Sequence, residues 1–221
     1  MANGATRAMT EQELAAFFDR NGQFHERVAD YLSEFAPYPE QRYDLAMKSA
    51  LLSVEHGMAA FALVSIQLHA PGYTLLRTQF ETLVRGIWLM YSASDTWIDK
   101  LSQPLTEETA EASKDALMPD KMLKALRSSG TAPAPLLDQL EACKDAIWKA
   151  LNSFAHGGFH PLARVETGYP PQLTFDVLRN SNAIVALASQ LAAIVSGDPK
   201  NMNPVRTLHT EFADCLPIIS Q

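Results

Sequence analysis

The stretch LLSVEHGMAAFALVSIQLHAPGYTLLRTQFETLVRGIWLMY, residues 51–91, decides the fold. Between Leu51 and Leu68 the chain is apolar almost all round, the pattern of a helix buried at the centre of a bundle. Its polar exceptions are not scattered. At 100° per residue, Ser49, Ser53, His56 and Gln67 fall within an arc of roughly 60°. Ala70-Pro71-Gly72 reads as a break. A further helix over about 72–92 then carries a core stripe of Leu76, Phe80, Leu83, Ile87, Met90 and Tyr91. Beside it runs a second stripe, Arg77, Glu81, Val84 and Trp88, at spacings of four, three and four.

Working outward from this pair, Thr10-Glu11-Gln12-Glu13 has the form of a capping box and predicts a first helix over about 11–36, ended by Pro37 and Pro39. The central helix is then expected over about 40–69. Residues 93–134 are more polar and proline-rich, and predict short helices near 95–103, 106–117 and 119–128. Pro135 suits the first turn of a helix with the stripe Leu136, Leu140, Cys143, Ile147, Leu151 and Phe154, closed by Gly157-Gly158. A fifth long helix is expected over about 172–196 and a short one near 205–214. No strand alternation persists and no repeat is visible. The expected fold is all-α: an antiparallel bundle of about five long helices with short extra helices between the third and fourth. Residues 1–9 read as a flexible tail and 10–221 as a single domain.

Composition agrees. The 221 residues are 47% apolar and 19% charged, far from the composition of a disordered chain. The formal net charge is −7, which argues against a general nucleic-acid binder. Much of the acidic surplus falls in the first helix and the 95–120 excursion, leaving the apolar helices comparatively rich in Arg. A dimer cleft concentrating Arg77, Arg85, Arg164 and Arg179 is the arrangement that would reverse the bulk argument. Two cysteines do not make a disulfide framework. No apolar run is long enough for a membrane helix, and MANGATRAMTEQE lacks a secretory apolar core. The expected location is the cytoplasm.

Nucleotide loops, HExxH, CxxC and GxSxG are absent from the sequence, and no cofactor is called for. The chemistry must come from isolated polar residues on apolar helices. Arg77 and Glu81 form an i, i+4 pair: either a structural ion pair or an anion clamp, for which the guanidinium fork is suited. In LNSFAHGGFHP, Trp148, Asn152 and His156 share one helix face. His156 stands at a helix C-terminus, where the macrodipole favours a cation: a capping histidine or a general acid–base. His156 and His160 are separated by two glycines and lack cysteine neighbours, so no metal site is assigned. His56 lies on the narrow polar arc, and Arg179 and Asn182 form an i, i+3 pair within an apolar helix. If the helices surround one pocket, His56, Arg77, Glu81, Asn152, His156, Arg179 and Asn182 meet there as ligand-binding residues, with His156 and Glu81 the catalytic candidates.

The segments LLRTQFETLVRGIWLMYSASD, LNSFAHGGFHPLAR, LRNSNAI, SGDP and FADCLP, in this order, resemble a bacterial family of small all-helical proteins of unknown function. Its pattern is LLRxQxExLVRxxWLxYAASD, LNSFVHGGxH and LRxSN. The resemblance runs from about residue 45 onward and implies a helical fold. More distantly, such proteins are similar to HEPN-type bundles, some of which are ribonucleases using an Arg, a polar residue and a His. At the matching place this chain carries Asn152 before His156. A literal R-N-x3-H occurs at Arg20-Asn21 and His25, in the first helix. Two functions are therefore carried forward. One is a homodimeric binding protein with a polar pocket for a small anionic ligand. The other is a HEPN-like ribonuclease or other hydrolase of a defence or toxin system, using His156 with Arg77 or Arg179.

Overall fold

The computed structural model describes residues 9–112 and 117–217; for Ala112 it describes the backbone alone. Among these residues there are ten α-helices and no strand. They are α1 (Glu11–Leu32), α2 (Gln41–Ser65), α3 (His69–Tyr91), α4 (Asp95–Leu101), α5 (Glu107–Ala112), α6 (Pro119–Ser129), α7 (Ala134–Ala155), α8 (Phe159–Thr167), α9 (Pro171–Val195) and α10 (Met202–Glu211). Single 3-10 turns, Pro199–Asn201 and Ala213–Cys215, flank α10. Most of the tail expected at 1–9 and the end of the helix expected over 106–117 lie outside the described residues.

The capping box forms as its residues predict. Thr10 Oγ1 accepts the Glu13 N–H at 3.2 Å, and the Glu13 carboxylate accepts the Thr10 N–H at 2.8 Å. The α2–α3 break falls earlier than expected. Gln67 takes a left-handed φ of 66° and turns the chain, and Pro71 sits inside the first turn of α3, where its missing N–H costs nothing. Helix α1 stops at Leu32, four residues short of its expected end. Helix α8 was not expected; it carries no buried residue.

Helices α2, α3 and α9 form the centre. Gly57 lets α2 approach closely: a Cβ there would lie 2.6 Å from Val185 Cγ2 on α9 and 2.7 Å from Gln79 Nε2 on α3. Val54, Ala60, Leu83, Ile184, Val185 and Ala188 on these helices are buried. The expectation that α2 is buried all round is corrected here. Leu51 and Leu52 are exposed, so one side of α2 is left uncovered by the described residues. Helix α1 packs on α9 and α10, while α6 and α7 pack on α3. The two stripes of α7 thus face different neighbours, and one of them meets Arg77.

Candidate functional site

Arg77 and Glu81 lie one turn apart on α3, and the Arg77 Nε donates to Glu81 Oε1 at 2.9 Å. The same guanidinium reaches α7. Its Nη1 lies 2.8 Å from His156 Nε2, and its Cζ stands 5.3 Å from the centre of the Trp148 ring. Phe80 meets the Trp148 ring edge-on at 6.0 Å. A guanidinium has only donors, so in this contact Nε2 is the acceptor and that nitrogen carries no proton. The Arg77 and Glu81 side chains are only 19% and 26% exposed, so the charge is held by a carboxylate, an imidazole lone pair and an aromatic face together.

His156 itself is exposed. It caps α7, its N–H donating to the Asn152 carbonyl at 3.1 Å, and Gly157 then turns the chain at a φ of 61°. Ser153 Oγ accepts the His160 N–H at 3.0 Å and so anchors the start of α8. One turn before His156, the buried Asn152 Oδ1 has no hydrogen-bond partner among the described residues.

Of the seven expected site residues, the structure brings Arg77, Glu81 and His156 into contact, with Asn152 on the adjoining turn. The convergence of all seven is corrected. The Arg179 Nη2 donates to the Leu216 carbonyl, and its Cζ lies 4.9 Å over the Phe175 ring. Asn182 Nδ2 donates to Asn21 Oδ1 and, at 2.9 Å, to the Cys215 carbonyl. This face of α9 is turned toward α1 and the C-terminal segment, so Arg179 and Asn182 fasten that segment to the bundle. His56 is half-buried on α2 and makes no hydrogen bond among the described residues.

The R-N-x3-H residues are equally committed to structure. Arg20 donates to Asp214 at 3.0 Å and to the Glu211 carbonyl, and stacks 4.2 Å over Phe212. Asn21 is fully buried. His25 is buried against the Phe61 ring, centroids 5.2 Å apart and nearly parallel, with neither ring nitrogen bonded. Burial pushes its imidazole from 6.5 down to about 4. These residues present no accessible acid–base group.

Sequence reasoning missed Gln79. It is fully buried; its Nε2 donates to the Ser181 carbonyl and its Oε1 accepts from Ser181 Oγ, each at 2.9 Å. Ser53 Oγ donates to the Gln79 carbonyl at 2.8 Å. This clamp ties α2, α3 and α9 together. The available signal was an amide placed beside the core stripe of α3, where a buried polar group must find partners.

Among the described residues no three His, Cys, Asp or Glu side chains group as metal ligands, and no helix is long and apolar enough to cross a membrane. Comparison with known proteins identifies residues 50–218 as DUF6988, a family of unknown function, and the chain belongs to that family. No curated protein and no solved structure matches it.

Proposed function

Proceeding from a family that supplies no activity, we propose that this protein binds a small anion at the Arg77–His156 pair. The carrying observation is the 2.8 Å contact between Arg77 Nη1 and His156 Nε2. In it an exposed imidazole serves as the acceptor for a largely buried guanidinium. An anion does the same work better. When one arrives, His156 is released as acceptor and turns its ring N–H in as a second donor beside Arg77. Glu81 keeps Arg77 oriented through Nε, leaving both Nη groups for the ligand.

Isothermal titration with inorganic phosphate tests this. The expected result is saturable binding, abolished in Arg77→Gln and weakened in His156→Ala. No saturable binding, or binding unchanged by Arg77→Gln, refutes it.

A second reading uses the same pair for hydrolysis of a phosphodiester, with His156 as acid–base and Arg77 holding the developing charge. It is a HEPN-like ribonuclease only in outline, since its Arg20 and His25 are tied into the core. Cleavage of short RNA that is lost in His156→Ala at unchanged melting temperature would favour it over simple binding.

We further propose that the protein works as a homodimer in the bacterial cytoplasm. Phe159, Leu162 and Val165 form an exposed apolar stripe on α8, which supports association. The unpaired thiols of Cys143 and Cys215 suit a reducing compartment. Sedimentation equilibrium is expected to give twice the monomer mass, and to give the monomer mass for Leu162→Lys; a monomeric wild type refutes the dimer.

A further inference from the structure

A separate cavity of about 220 Å³ lies between α3, α7, α8 and α9. Neither Arg77 nor His156 lines it. Leu76, Leu151 and Val177 give it an apolar wall; α8 contributes Arg164 and α9 contributes Asp176. At roughly 30 Å³ per water, the volume corresponds to about seven waters, well below the size of drug-sized pockets. A nucleotide does not fit. A ligand of amino-acid size does.

The two charged residues are the informative feature. Several other guanidinium groups in this protein close on carboxylates: Arg20 on Asp214, Arg27 on Glu211, Arg42 on Asp95. Arg164 and Asp176 line one cavity with opposite charges, yet neither forms an ion pair with any described residue. The Arg164 Nη1 has only long contacts of 3.5 Å, to Thr167 Oγ1 and the Gly168 carbonyl at the end of its own helix. Asp176 Oδ1 accepts from Gln172 Nε2 at 2.9 Å. Asp176 keeps its second oxygen, and Arg164 keeps most of its donors. The Arg164 charge also acts on the Tyr73 phenol at the cavity, opposing the burial that pushes that phenol up to about 12.

Opposite charges that share a cavity without closing on each other match a ligand that carries both charges itself. We propose that this cavity binds a free α-amino acid with an apolar side chain. Its carboxylate pairs with Arg164, in reach of His160 on the same helix, and its ammonium pairs with Asp176. Its side chain lies on Leu76, Leu151 and Val177. Helix α8, which buries none of its residues, supplies both His160 and Arg164 to the lining.

The test is isothermal titration of the full chain with L-leucine, with isocaproate (the same skeleton without the amine) and with isopentylamine (without the carboxylate). L-Leucine is expected to bind, and each half-ligand to bind about tenfold more weakly or worse. Arg164→Gln is expected to weaken L-leucine and isocaproate and to spare isopentylamine; Asp176→Asn is expected to do the reverse. Far-UV circular dichroism confirms that both variants remain folded. No saturable heat at about 10 mM L-leucine, the range of the weakest specific binding, overturns the proposal. So does isocaproate binding as tightly as L-leucine, or unchanged binding in both variants. Arg77→Gln is expected to keep L-leucine binding while losing phosphate, so the two sites succeed or fail independently.

Discussion

His25 makes the stability of this protein sensitive to mild acid. Its ring is 6% exposed, stacked on Phe61 and edge-on to Phe24, and no partner meets either nitrogen. The folded protein therefore holds it neutral, with a pKa pushed from 6.5 to about 4 by burial. The unfolded chain binds the proton first, so stability is fully present above the unfolded value and falls with acidification down to the folded one. Taking these two values, the linkage penalty is about 0.2 kcal/mol at pH 7 and about 2 kcal/mol at pH 5, a difference of about 1.8 kcal/mol from one side chain. His25→Phe keeps the ring stack and removes the titration. Urea unfolding at pH 7 and pH 5 should show wild type losing about 1.8 kcal/mol more than His25→Phe between the two conditions. The carboxylates that also titrate in this range are common to both proteins and cancel. Equal losses in the two proteins would refute the argument and mean that the folded state accommodates a charged His25.

Three further outcomes are expected. Gly57→Ala should cost about 1–3 kcal/mol in chemical denaturation, because the new Cβ meets Val185 and Gln79 at 2.6 and 2.7 Å. Gln79→Leu should cost about 2–4 kcal/mol, since it removes both bonds to Ser181 and leaves the Ser181 hydroxyl without that acceptor; a neutral result would show that the α3–α9 seam repacks as a purely apolar one. A double-mutant cycle on Arg77→Gln and His156→Ala should give a coupling of about 0.5–1.5 kcal/mol. A coupling of zero would contradict the assignment of Nε2 as acceptor for Arg77.

The parts of the fold that were legible are those where burial and periodicity coincide. Helices α1, α2, α3, α7 and α9 follow from apolar stripes and from Thr10, Pro135 and Gly157. Helix α8 was not, and for a physical reason: Phe159, Leu162 and Val165 are spaced as a helix requires but face solvent, and Pro161 follows closely on two glycines. A short helix whose apolar residues are unburied looks like a loop. At the site, the i, i+4 spacing of Arg77 and Glu81 gave their pairing directly. The contact of Arg77 with His156 needed two helix faces to meet, and periodicity assigns a face without naming its neighbour. That is why Arg179 and Asn182, on an equally polar stripe of α9, turned out to bond Leu216, Cys215 and Asn21 instead.

The fastening of α1 bears on how the chain is made. Arg20 and Arg27 pair with Asp214 and Glu211, and Asn21 with Asn182, across separations of 194, 184 and 161 residues. Helix α1 therefore completes its berth only once residues 182, 211 and 214 have been made. Until then Phe24 and Val28, which become fully buried, stay uncovered. The matched segment, residues 50–218, contains that berth but not the helix that fills it. During synthesis α1 is thus a waiting strip of apolar surface, the part of a nascent chain that a chaperone would hold until the α9–α10 region has emerged.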